Sequence, residues 1–203
     1  MSKARTRALI VAWSGLLALA VPAVTFAQSV SVFQGLIKHI NRQIQQDKRA
    51  FHDAEVCVQW FYKQQKKPTL PKAEGIAWSG QPINASNCAA RYPGGIDAAR
   101  EDFSATQSAL SLSLTFYEFA LVGDRNDDDR YSAAELQDIV ESFGLAYDQA
   151  RPASAYLAEL QTTFDMVHKA GGMEKLMTGM NALYDKGYRL TPRDRSAIDH
   201  VSK

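Results

Sequence analysis

The chain has 203 residues, with 23 basic and 22 acidic side chains and two cysteines. That length suits one domain, or one core with an appended arm. The near balance of charge excludes the basic footprint of a nucleic-acid or anionic-membrane binder.

The chain opens with Lys3, Arg5 and Arg7, continues with an apolar run from Ala8 to Val24, and leaves it through Thr25-Phe26-Ala27. This is the layout of a secretory signal peptide, and it predicts cleavage after Ala27. An uncleaved membrane anchor is the alternative, since the run is short but borderline in length. Cleavage would leave 176 residues with 20 basic and 22 acidic groups, a net charge of −2. The expected destination is the bacterial periplasm or the extracellular space, with no membrane span left after cleavage. Asn84-Ala85-Ser86 would be a glycosylation acceptor on a eukaryotic route. Cys57 and Cys88 remain, and in an oxidising compartment an even count tends to pair. Two buried free thiols are the other possibility.

From Phe33 to Phe61 apolar residues recur at helical spacing, with Asp47 and Lys48 where the stripe should continue. The segment is either one long helix with a polar gap or two helices joined near Asp47, ending before Pro68. Residues 68–95 hold Pro68, Pro71, Pro82 and Pro93 with four glycines, and read as an irregular connection that Cys88 would tie back to Cys57. Trp78 within it is either a binding aromatic or a plug folded onto the helices. Ile96, Ala99, Phe103, Leu110, Leu114, Tyr117 and Leu121 mark a second long helix that stops at Gly123. Further helices are expected from about Ser132 to Tyr147, from Ala155 to Lys169 and from Met173 to Tyr184. A last one opens at Thr191-Pro192, with Asp194 completing the cap. No alternating run of strand length occurs, so the expected class is all-α. The predicted parts are a signal peptide (1–27), a helical arm (28–67), a disulfide-tied loop (68–95) and a helical domain (96–203).

Between the second and third helices the chain reads Asp124-Arg125-Asn126-Asp127-Asp128-Asp129-Arg130-Tyr131-Ser132-Ala133-Ala134-Glu135. Calcium is a hard cation that takes six to eight oxygens, and a twelve-residue loop offers them from alternate positions, closing with a bidentate Glu. Here those positions are Asp124, Asn126, Asp128, the Arg130 carbonyl, Ser132 and Glu135. With the helical patterns on both sides, residues of about 115–147 resemble the EF-hand family. The resemblance implies one bound Ca2+ held by those six residues. Asp129 stands where the family has the glycine of a left-handed turn, which implies an affinity lower by of order 1 kcal/mol. Tyr131 replaces the residue that pairs with a sister loop, and Gly123 replaces an apolar residue before the loop. The segment from Asp185 to Asp194 resembles half of a sister loop, with Leu190 available to pair with Tyr131. A turn followed by a capped helix fits it equally well.

Other constellations are weaker. His39, His52, His168 and His200 lack zinc-type spacing and read as surface or capping residues. Met166, Met173, Met177 and Met180 recur at nearly helical intervals, as core filler or as an adaptable groove for a partner helix. No nucleophile motif or phosphate-cradling glycine loop is present, so no catalytic residue is assigned and the chain is not read as an enzyme. Three functional expectations follow. The first is an exported calcium-binding interaction or sensor module with a protein partner. The second is a helical structural domain stabilised by calcium, and the third an enzyme that calcium supports.

Overall fold

The computed structural model describes residues 25–65 and 87–203, with side chains of the first helix from Val32 onward. The expected signal peptide, apart from its last three residues, lies outside the described residues, as do Trp78 and the acceptor at Asn84. Seven α-helices and no strand occur among the described residues, in agreement with the all-α expectation.

Helix α1 spans Thr25–Gln64 without a break. Of the two expectations for this segment, one long helix is the structure adopted. At 1.5 Å per residue it is about 60 Å long. Its apolar face (Val32, Phe33, Leu36, Ile40, Ile44, Phe51) is buried in the main core. A short helix, α2 (Cys88–Arg91), lies inside the stretch expected to be irregular. It brings Cys88 into a disulfide with Cys57, with Cα atoms 5.2 Å apart. Val58, Tyr92 and Ala99 surround the bridge in a separate small core.

Helix α3 (Gly95–Val122) runs antiparallel to α1. Phe103 meets Phe51 near one end of the pair, and the loop that follows α3 meets Phe33 at the other. Helix α4 (Ala133–Ser142) ends five residues before the expected Tyr147. The cause is Gly144, whose φ of +74° is favoured only by glycine. Its N–H bonds the Glu141 carbonyl and the Leu145 N–H bonds that of Val140, the pair of bonds of a Schellman cap. Helix α5 (Ala153–Lys169) lies along α1 in the same direction, with His39 facing Asp165 and Asp47 facing His168. Helices α6 (Met173–Asp185) and α7 (Pro192–Ser202) complete the chain. The cap predicted for α7 is present: Thr191 accepts from the Asp194 N–H, and the Asp194 carboxylate accepts from that of Thr191.

Phe116, Phe119, Phe143 and Phe164 interlock at the centre of the main core, which α1 and α3 to α6 all enter. The methionines do not share one environment. Met180 is in the core, while Met166 and Met177 are exposed. No helix among the described residues is long and apolar enough to cross a membrane.

Candidate metal centre

The loop from Asp124 to Glu135 joins α3 to α4, and apolar contacts beneath it fix both ends. Tyr131 is fully buried, stands edge-on to Phe33 and donates its hydroxyl to the Ala120 carbonyl at 2.7 Å. It is turned into the core, with no strand pairing to Leu190, because an aromatic ring with a satisfied hydroxyl is better placed there than on a wet edge. Gly123 also has a packing role. A Cβ at that position would lie 2.4 Å from Ile139 Cδ1, so the absent side chain lets α4 close against the end of α3.

The acidic side chains organise the backbone above this floor. Asp124 is buried and accepts from the Asp128 N–H at 3.2 Å and the Asp129 N–H at 2.7 Å. Glu135, also buried, accepts from the Arg125 N–H at 3.0 Å and the Ser132 N–H at 2.7 Å, while Ser132 accepts from the Glu135 N–H. Glu135 therefore ties the start of the loop to its end and caps α4 at the same time. Asp129 has φ 61°, the left-handed turn expected where the resemblance would have glycine, and Asp127 has φ 58°.

Burial pushes the Asp124 carboxyl up to about 6; the negative charges of Asp128 and Glu135 push the same way, against the two backbone N–H bonds. Asp124 is thus within electrostatic reach of both Asp128 and Glu135. Asn126, Asp128 and Arg130 are exposed. Of the six predicted ligand positions the structure brings Asp124 and Glu135 together beneath the loop and leaves those three on its solvent side. Among the described residues no three His, Cys, Asp or Glu side chains gather tightly enough to form a ready metal cage.

Helix α7 abuts the loop. Arg193 donates to the Asp127 carbonyl at 2.6 Å and to the Asp129 carboxylate at 2.6 Å, and Thr191 donates to the Asp127 carboxylate at 3.3 Å. A cavity of about 200 Å³ between them is lined by Asp124, Asp127, Asp129, Asp194 and Arg193 over Phe33 and Tyr117. The segment that resembles half of a sister loop is a turn leading into capped α7, lying beside the acidic loop. Arg125 covers the Tyr188 ring there, and Tyr188 donates to Asp138 at 2.7 Å.

A second polar cluster was not assigned from sequence. Asp47, the gap in the α1 stripe, accepts from Ser113 at 2.5 Å and Gln43 at 2.9 Å, and its Oδ2 is 2.9 Å from His168 Nε2. His168 is therefore neither a surface nor a capping residue. The Asp47 hydrogen bond chiefly raises its pKa, helped by the charges of Asp47 and Asp165 and a bond to the Ala109 backbone, against burial. The neighbouring Lys48 is buried and donates to the Val201 carbonyl. Ser113 is fully buried and donates to a carboxylate, so its hydroxyl is not presented to a substrate. The legible signal was the break in apolar periodicity at Asp47-Lys48. Its partners lie 66, 121 and 153 residues away, beyond the reach of local pattern. Compared with protein-family models, curated protein sequences and solved structures, the chain matches none.

Proposed function

We propose that this chain is an exported protein that holds one calcium ion in the loop Asp124–Glu135 and acts as an interaction or sensor module. The observation that carries the reading is the pair of buried carboxylates, Asp124 and Glu135, beneath a loop whose Asp129 already has the left-handed turn. Buried carboxylates of like charge gain from a cation between them. The donor set fits calcium in kind, being oxygen throughout. Asp124, Asn126, Asp128, the Arg130 carbonyl, Ser132 and Glu135 would hold the ion, which would neutralise the loop and crosslink its two ends. The disulfide between Cys57 and Cys88 supports export, because such bonds persist in oxidising compartments.

A second reading, in which calcium only stabilises a helical domain, is favoured by the cap that Glu135 makes on α4 and by the burial of Tyr131. Both fix the loop to the core without help from an ion. Thermal melts with calcium, with magnesium and with chelator, beside a Glu135→Gln variant, test the metal. The expected result is a calcium-selective rise, worth about 1.4 kcal/mol at ten times the dissociation constant, that the variant lacks. Identical melts in all three conditions would remove calcium from the account. A dye for exposed apolar surface separates the two readings, since a sensor brightens it on adding calcium and a stapled domain does not.

A further inference from the structure

Arg193 is the second residue of α7, and its guanidinium reaches across to the acidic loop. One nitrogen donates to the Asp127 carbonyl at 2.6 Å and to the Asp127 carboxylate at 3.3 Å, and the other donates to the Asp129 carboxylate at 2.6 Å. Asp127 and Asp129 are the two non-glycine residues with positive φ among the described residues. That conformation crowds Cβ against the backbone; Asp enters it more readily than most residues but still at a cost, so it is held more firmly where its surroundings support it. Asp124 restrains the turn from inside the loop, through the Asp128 and Asp129 N–H groups. From outside, Thr191 bonds Asp127 alone, and Arg193 bonds both turns.

Neither Asp127 nor Asp129 is one of the six ligand positions, so Arg193 shapes the loop without occupying the oxygens a cation would need. The Arg130 carbonyl, which is one of them, follows Asp129 directly, and the turn at Asp129 sets where it points. The support is itself fixed. Thr191 and Asp194 cap the start of α7, and near its other end the Val201 carbonyl accepts from buried Lys48. A fork of donors on an anchored helix is suited to preorganising a neighbouring turn.

We infer that Arg193 is a positioning residue for the acidic loop: from its seat on α7 it holds the left-handed turns at Asp127 and Asp129, and through them it sets the loop's affinity for calcium. This rests on the calcium reading of the loop. It makes α7 part of the site and links the seating of that helix to occupancy of the loop.

The test is a calorimetric calcium titration of the full oxidised chain and of Arg193→Gln, Asp129→Ala, Asp129→Gly and the Arg193→Gln, Asp129→Gly double variant. Both Asp129 substitutions delete the carboxylate bound to Arg193, but only glycine takes the left-handed turn without strain. Arg193→Gln and Asp129→Ala should each weaken binding about three- to tenfold, the equivalent of one strained residue. Asp129→Gly should bind at least as tightly as the wild type, and adding Arg193→Gln to it should cost less than in the native loop. Tighter binding by Arg193→Gln, as if a competing cation had left, would overturn the inference, as would an equal loss in both backgrounds. A wild-type chain that takes up no calcium would overturn the calcium reading instead. The hold on the turns would then stand or fall on amide exchange of the calcium-free chain. Faster exchange at Asp128 and Asp129 in Arg193→Gln supports it, and unchanged exchange overturns it.

Discussion

In the last turns of α1 a covalent bond joins Cys57 to Cys88 on α2, just ahead of α3, with Val58, Tyr92 and Ala99 packed around the bridge. At the other end of the same helix pair, where α3 gives way to the acidic loop, the fastening is a buried ring, a capped helix and opposed charges. A covalent crosslink holds irrespective of salt, pH or cations and yields to reductant. A cluster of carboxylates bridged by Arg193 responds to all three of the former and ignores reductant. One end of the molecule is set once, at oxidation, and the other remains adjustable. The calcium proposed for the loop would act at the adjustable end.

The largest expected effect comes from removing the apolar anchor of the adjustable end. Tyr131→Ala deletes a fully buried ring and its bond to Ala120, and should lower stability by about 3–5 kcal/mol in urea unfolding. A near-neutral result would mean that the loop is not seated on the core, and the contrast between the ends would collapse. Next comes the fixed end. The bridge closes a sequence separation of 31, worth about 3 to 4 kcal/mol on the chain-entropy model, so Cys57→Ser with Cys88→Ser should lose about that much. The loss should be the same at low and high salt, and a strongly salt-dependent loss would show that the two ends are not separable.

The smallest effect tests the middle of α1. His168 faces Asp47 on α1, Asp165 on its own helix and the Ala109 backbone on α3, and its folded pKa is raised. The folded state therefore binds a proton more tightly than the unfolded one. The stabilisation is fully present below the unfolded value, about 6.5, and is lost as pH rises through the folded value. Urea midpoints should fall across that window in the wild type and stay flatter in His168→Gln. Parallel profiles would show that the imidazole is not linked to folding.

The sequence revealed most where the governing interactions are local. The capping box at Thr191-Pro192 and the span of α3 between two glycines both depend on residues within a few positions of one another. Helix α4 was overextended because Leu145 and Tyr147 continue the apolar pattern, while Gly144 ends the helix through a backbone conformation that periodicity does not register. The continuity of α1 through Asp47 and Lys48 was open for the opposite reason. Two polar residues in an apolar stripe are consistent with a break until α3, α5 and α7 supply a hydroxyl, an imidazole and a carbonyl from far along the chain. For the loop, composition pointed to a ligand set, whereas the role of Arg193 required α7 to be in place.

The unbroken course of α1 has a consequence for the kinds of sequence change this protein can absorb. Phe33 meets Tyr131 at the adjustable end and Cys57 meets Cys88 at the fixed end, both from one rigid rod. Each residue in a helix turns the next by about 100° and advances it about 1.5 Å. Adding or deleting a single residue between these two contacts would swing one end by more than a quarter turn relative to the other. Either the bridge or the seat of the loop would then miss its partner. Substitutions along the exposed face of α1 leave that phase intact, so this helix absorbs changes of composition there more readily than changes of length.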